Sequence, residues 1–567
     1  MKSYIVVNVQ NRETRVGVVE DGRLAEVYVE RSGQQSVGSI YKCKVKNVLG
    51  GMDAAFVDIG LEKNAFLYSG DILPYAVEPE RRSRRQARNH SITGIVREGQ
   101  EFLVQVVKAP RASKGARVST KITLPGRYIV LLPESDSVGI SKRISVPEHD
   151  RLKPLLEAIR PPGFGLIART EAEGRTEEEI SRDINTMVKV WNSITETAAD
   201  SPAPSVIYQE LSLIYKIIRD NFTSDTGCMY IDSESKYKKA RELARALTPG
   251  LEGRIKLYSD RLPIFERFGL ERDYQQMFKR KIWLRSGGYI CIDIAEALTV
   301  IDVNTGKFVG NRSLTETVLT TNLQAASEIA RQIRLRDLGG IIVVDFIDMI
   351  SRNDRDRLIK AFQTALNKEH TKTSISQVTE LGLVELNRKR VSETVGEALT
   401  EVCPYCSGRG RVESSETVSL RIERDIRGFL HKTEADAGLY IKANPRTALC
   451  LIGDGGKNVK ELEELYKTSI YIRGDGIMHI EEYDLAHASR QKAADLESRV
   501  KPEEVFKVRP ERCPSEEEDK AVCWVERLLV EIPHGSKYIG KTVNIKIKEV
   551  YRSHAVARIR TGRGTYV

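Results

Sequence analysis

Two stretches decide the reading of this chain: Leu298-Thr299-Val300-Ile301-Asp302-Val303-Asn304-Thr305-Gly306 and Gly339-Gly340-Ile341-Ile342-Val343-Val344-Asp345-Phe346-Ile347-Asp348. Short runs of branched apolar residues bounded by turn residues predict buried strands. A crossover helix near Thr317 to Asp337 joins them, and Tyr289 to Ile294 reads as a further strand. A carboxylate interrupts each run. Burying a carboxylate without a partner costs several kcal/mol, so Asp302 and Asp345 each require a cation, a donor or a metal. Two carboxylates on neighbouring strands, with the Asn304 amide beside them, form an oxygen cage suited to magnesium. The plainer alternative has Asp302 capping a turn and Asp345 paired with an arginine of the 331–336 run.

Working outward, 567 residues exceed a single core and suggest about four domains. The net charge of +10 is concentrated in two places. Residues 76–121 carry eleven Lys or Arg against four Asp or Glu, and residues 533–567 carry eight against one, so each patch is +7 and the remainder is slightly acidic. Such patches point to an anionic partner. No apolar run approaches the roughly 18 residues of a membrane span, and the first residues lack a signal-peptide core, so a cytoplasmic protein with no membrane partner is expected. The cysteines are scattered, which excludes a disulfide framework.

Near the N-terminus, Tyr4 to Asn8, Thr14 to Val19 and Leu24 to Glu30 read as strands. Gly38 to Val48, Ala54 to Ile59, Ala65 to Tyr68 and Phe102 to Lys108 follow around an arginine-rich loop at 79–88, the pattern of a small OB-type barrel. Phe56 and Phe66 lie on it among Lys42, Lys44 and Lys46. Aromatics there either fill the barrel core or stack on unpaired bases while cations track phosphates, and Lys108, Arg111 and Lys114 extend the basic stripe. Gly165 to Thr170 ends a strand with Arg169 beside Thr170, a pair suited to a terminal phosphate. Residues 175–195 read as a helix opened by Glu177, Glu178 and Glu179, where the dipole favours acids. Residues 415–495 form a small α/β pattern. In 525–560, Val543, Ile545 and Ile547 alternate with Asn544, Lys546 and Lys548.

The Asp302 motif, the arginine-rich helix, Gly339-Gly340 and Asp345-Phe346-Ile347-Asp348-Met349 together resemble the ribonuclease E/G family, over residues 2 to about 490. The resemblance implies a magnesium-dependent endoribonuclease, specific for single-stranded RNA, that leaves 5′-phosphate and 3′-hydroxyl ends and acts on ribosomal RNA precursors and messenger RNA. It implies an α/β and β multidomain fold. An RNase H-like part at 1–36 joins 217–280, followed in the chain by an OB-fold RNA-binding domain at 37–119 and a 5′-sensor domain at 120–216. A DNase I-like catalytic domain spans 281–402, then a zinc link at 403–414 and a small α/β domain at 415–500. By position, Asp302 and Asp345 hold the metal, Asn304 orients Asp302 or the scissile phosphate, and Asp348 is structural. Phe56 and Phe66 fall at RNA-contacting positions. Arg169 and Thr170 fall at a 5′-monophosphate sensor, with Gly126 and Val130 as its wall and Arg143 as a secondary contact. The competing class, a non-catalytic RNA-binding scaffold with architectural metals, has no need of Asp302, Asn304 and Asp345 together.

Cys403-Pro404-Tyr405-Cys406 is half of a four-ligand zinc site or a glutaredoxin-like redox pair. The Ser407-Gly408-Arg409-Gly410 turn that follows suits the metal, and two chains each giving a pair is one way to complete it. The resemblance likewise implies zinc shared between chains, in a homodimer that pairs into a homotetramer. Gly453-Asp454-Gly455-Gly456 resembles the Gly-x-x-Gly loop of KH modules, but Asp454 opposes a phosphate, so a structural or interface role is expected. Residues 505–567 resemble the TRAM type of RNA-binding β-barrel and are expected to form a second RNA grip.

Overall fold

The computed structural model describes the chain apart from residues 1–2, 32–36, 74–91, 109, 111–114, 211, 307–313, 370, 372, 380–382, 391–393, 433–437, 513–518, 562–564 and 567. Arg111, Lys114 and the arginine-rich loop at 79–88 lie outside the described residues. The chain divides into two compact units, Met1–Thr400 and Glu401–Val567. No helix among the described residues is long and apolar enough to cross a membrane.

The first unit is mixed α/β. Its opening strands Ser3–Val9, Glu13–Glu20 and Arg23–Arg31 form one sheet with the later strands Thr226–Ile231 and Ile255–Leu257, because Ser3–Val9 pairs in parallel with Thr226–Ile231. A small barrel follows: Ile40–Leu49, Ala54–Asp58, Ala65–Tyr68, Arg117–Ser119 and Glu101–Lys108 pair in that order, and Ile40–Leu49 returns to Glu101–Lys108 to close it. The barrel is filled by Val45, Val57, Leu67, Val104 and Val118. A four-stranded sheet between residues 124 and 168 packs on the helices Val146–Ile159 and Glu177–Asp200. The second helix is started by a capping box in which Thr176 and Glu179 satisfy each other's backbone N–H.

The central sheet orders its strands Lys281–Trp283, Tyr289–Ile294, Leu298–Asn304, Gly340–Asp345, Leu383–Arg388 and Thr373–Val378. The helices Leu314–Leu335 and Arg352–Leu366 cover one face, where Ile290, Ile301, Val303, Ile342 and Val344 meet Ile329, Ile333 and Phe362. The other face stays open: Val300 is 38% and Ile341 51% exposed. The expectation that these strands are buried therefore holds for alternate residues only. The side chains at 300, 302 and 341, 345 share the exposed face.

In the second unit, Leu439–Ala443, Ile470–Gly474 and Tyr483–His487 form a three-stranded sheet under the helices Ser415–Lys432, Pro445–Ile452 and Lys457–Tyr466. A seven-stranded sheet built from Val505–Val508 to Thr565–Tyr566 shares that core through Val522 and Leu529. Gly456, at φ +73°, has the His554 ring where a side chain would stand. Asp454 pairs with Lys520 at 2.8 Å, and the Gly455 N–H donates to Glu531 Oε1 at 3.0 Å. The glycine loop thus serves as the seat of the C-terminal sheet.

Candidate functional site

Leu298–Asn304 and Gly340–Asp345 run parallel, and their register sets Asp302 directly beside Asp345 at the exposed ends of the two strands. The Asn304 amide donates from Nδ2 to Asp302 Oδ2 at 2.6 Å. Asp345, on the exposed face, has its pKa raised, first by partial desolvation and then by the negative charges of Asp302 and Asp348. Asp348, expected only as a structural residue, is thus close enough to act electrostatically.

The alternative pairing of Asp345 with the 331–336 arginines is overturned. Arg331 binds Glu328 at 2.6 Å and Arg334 binds Glu20 and Glu26 at 2.5 and 2.8 Å, while Arg336 donates to Gln332 and the Lys279 carbonyl. These arginines fasten the long helix to its neighbours and leave the carboxylates alone. No ion pair to Asp302 or Asp345 is formed among the described residues. Nor do three acidic, His or Cys side chains converge there as a ready cage. Two carboxylates with open solvent around them suit magnesium, which keeps several waters when bound.

A residue that sequence reading missed holds this geometry. Asn322, fully buried on the long helix, donates to the Ile347 carbonyl at 2.8 Å and accepts from the Ile347 N–H at 3.1 Å. It pins the chain just past Asp345. A mid-helix Asn in an apolar stretch was its only sequence signal.

On the barrel, Phe56 sits opposite Phe66, with ring centroids 5.8 Å apart and both rings partly exposed, outside the core. The row continues across the strands from Phe66 to Arg117 and then to Lys108. Two aromatic and two cationic side chains therefore share a row, and Arg117 is the member the sequence did not single out. Lys108 is exposed, whereas Arg117 is held by Asp71 at 2.6 Å. The barrel lysines are tied more closely than expected. Lys42 donates to the carbonyls of Ala198 and Ser201, and Lys46 lies 3.3 Å from Asp58.

The sensor residues also meet. Arg169 Nη1 donates to the Gly126 carbonyl at 2.7 Å, and Thr170 Oγ1 is 3.2 Å from Ser141 Oγ, which accepts from the Arg143 N–H. Val130 lines the adjoining strand opposite Ile167. The Arg169 guanidinium is already paired with Asp220 at 2.7 Å, and Arg143 donates to the Glu369 carbonyl. Burial raises the Asp220 pKa, but the Arg219 hydrogen bond and the Arg169 charge outweigh it and hold this carboxyl below its ordinary value. Beside Gly126, Arg127 is buried with Nε and Nη1 lacking partners among the described residues. A buried cation in that state favours an anion nearby.

Cys403 is exposed and Cys406 half-buried in a turn that precedes the helix Ser415–Lys432, unlike the strand-to-helix junction of redox motifs. The Gly410 N–H donates to Cys406 Sγ at 3.3 Å. Hydrogen bonds from the backbone at Cys406 and Tyr405, then from the Cys406 thiol, lower the Cys403 pKa. The thiolate form that zinc requires is thereby favoured.

The Ribonuclease E/G family model matches residues 123–391, and the model described as RNase E/G, Thioredoxin-like domain matches 402–488. Ribonuclease G of Escherichia coli (strain K12) is 39% identical over 487 residues, covering 86% of this chain and 99% of that protein. Ribonuclease G of Haemophilus influenzae is 40% identical over 85% of the chain and 98% of its own length. Ribonuclease E of the same organism is 35% identical over 83% of the chain and 50% of its own length. With the paired carboxylates inside the 123–391 match, the cysteine turn inside the 402–488 match, and ribonuclease G aligned over 86% of the chain, the chain belongs to the ribonuclease E/G family.

Proposed function

We propose that this endoribonuclease cuts single-stranded RNA at the Asp302–Asp345 pair, leaving 5′-phosphate and 3′-hydroxyl ends, in ribosomal RNA processing and messenger RNA decay. The register that seats Asp302 beside Asp345, with Asn304 bonded to the first, carries the reading. Bound magnesium supplies Lewis-acid neutralisation of phosphate charge and an acidified water. Asp302 and Asp345 hold it, and their mutual repulsion in its absence is the usual sign of a site built for a cation. Asn304 fixes the Asp302 rotamer by its hydrogen bond, and Asn322 fixes the backbone after Asp345. Phe56 and Phe66 stack on unpaired bases, Lys108 neutralises phosphate, and stacking tolerates any sequence but not a paired duplex.

Arg169 and Thr170, with Gly126, Val130 and Arg143, receive a 5′-monophosphate that displaces Asp220 from the Arg169 guanidinium. Cys403 and Cys406 give half of a zinc site completed by the same pair of a second chain, joining a homodimer that pairs into a homotetramer. The domain limits set out from the sequence, including the OB, RNase H-like and DNase I-like assignments, and the cytoplasmic location belong to this proposal. One assay tests its centre: single-stranded RNA incubated with magnesium or with chelator, followed by analysis of product ends. Metal-dependent products with 5′-phosphate termini are expected. Cleavage in chelator, or 2′,3′-cyclic phosphate ends, would overturn it.

A further inference from the structure

The open face of the central sheet carries an aromatic feature the cleavage chemistry does not account for. Trp283 is 61% exposed, an unusual fate for the largest apolar side chain. It lies opposite Tyr289, with ring centroids 5.3 Å apart, and the Lys281 ammonium sits 4.2 Å from the Trp283 centroid and 3.4 Å from that of Tyr289. The register places these groups with respect to the carboxylates. Tyr289 pairs with Asn304, so Trp283, Tyr289 and Asn304 form one row across three strands. Lys281 pairs with Cys291, which pairs with Asp302, which pairs with Asp345, so Lys281 springs from the carboxylates' own row and carries its ammonium across to the Trp283–Tyr289 row. At about 4.8 Å per strand, Trp283 is about 10 Å from Asn304 on the same face.

We propose that Trp283 is a base-stacking platform for a nucleotide flanking the scissile phosphate, with Tyr289 supporting its ring and Lys281 holding that nucleotide's phosphate. The proposal rests on the reading of Asp302 and Asp345 as the cleavage centre. The occupant follows from charge and shape. A flat π surface with a cation pinned against it suits a base with its phosphate, whereas a protein helix would have to cover the carboxylates as well. Phe56 and Phe66 belong to the barrel sheet, whereas Trp283 stands on the sheet that carries Asp302 and Asp345.

The test uses the full chain carrying Asp302→Asn, with and without Trp283→Phe, titrated with a 5′-phosphorylated single-stranded oligonucleotide while tryptophan emission is followed. Quenching that saturates with binding is expected in the first protein and is lost in the second. In the enzyme with Asp302 intact, Trp283→Ala is expected to lower kcat/KM about 5- to 100-fold, and Trp283→Phe to restore most of it, as a stacking contribution does. Equal emission changes in both titrated proteins would overturn the platform, as would an emission change that follows protein concentration without RNA and so marks a contact between chains. If Asp302→Asn still cleaves, the cleavage-centre reading fails on its own, and the quenching comparison still decides the role of Trp283.

Discussion

Replacing Asp345 by Asn should remove activity and at the same time stabilise the metal-free protein. Two unit charges about 5 Å apart, the spacing of neighbouring strands, repel by about 0.8 kcal/mol in water-like surroundings. Salt at physiological strength roughly halves this, and both side chains are solvent-exposed, so about 0.5 kcal/mol survives. No hydrogen bond to the Asp345 carboxylate is lost in exchange among the described residues. The sign with pH follows from the raised Asp345 pKa. The folded protein holds this proton more tightly than the unfolded chain, so ionisation is a penalty on the fold at neutral pH. The penalty fades as pH falls through the carboxylate range, and the advantage of Asn should fade with it. Urea unfolding in chelator should show a slightly higher midpoint for the variant at pH 7. Adding magnesium at 100 times its dissociation constant should stabilise the parent by about 2.7 kcal/mol and the variant hardly at all. Cleavage should fall about 10²- to 10³-fold or more. A variant destabilised by about 3 kcal/mol, as a broken buried ion pair would be, refutes the reasoning. So does equal stabilisation of both proteins by magnesium.

Phe56→Ala and Phe66→Ala should each weaken single-stranded RNA binding about 5- to 100-fold by anisotropy, and unchanged affinity would return them to structural roles. On one oligonucleotide, a 5′-monophosphate should accelerate cleavage over a 5′-hydroxyl. Arg169→Ala should erase that ratio, while Asp220→Asn, which frees the guanidinium, should enlarge it. Metal analysis should find about one zinc per two chains, and Cys403→Ser with Cys406→Ser should halve the mass of the assembly in light scattering. In the C-terminal sheet, Arg558→Ala with Arg560→Ala, both exposed, should flatten the salt dependence of RNA binding by about 1.4 logarithmic units if each contacts a phosphate. Point variants are preferable to deleting 505–567, because Val522 and Leu529 complete the core beneath the preceding sheet.

Strand positions were legible because branched residues cluster where strands run, and the helix Glu177–Asp200 was legible from its acidic opening turn. Which face of the central sheet is covered was not legible. Val300 and Ile341 are as apolar as Ile301 and Ile342, and only the placement of two helices distinguishes them. Asp302 and Asp345 could be paired as chemistry, but their one-to-one register depends on a crossover of some forty residues that no local pattern fixes. The arginine run misled the plainer alternative for a related reason. Its partners Glu20 and Glu26 lie about 310 residues away in sequence, on the N-terminal sheet. Arg117 escaped notice because its role comes from a cross-strand row shared with Phe66 and Lys108.

The one-sided sheet explains why the site is placed where it is. A parallel pair of strands sets the two carboxylates side by side in register, giving two negative charges at strand spacing, which a cation relieves at neutral pH. Had the second face been packed, as the apolar runs suggested, that repulsion would have faced a low dielectric and cost several kcal/mol. Leaving the face open lowers the cost of the ion-free state and admits a flexible polyanion along the whole sheet. On the proposed reading of Asp302 and Asp345 as the cleavage centre, the exposed Val300, Ile341 and Trp283 are the consequence of a surface that must stay uncovered for the carboxylates to reach RNA.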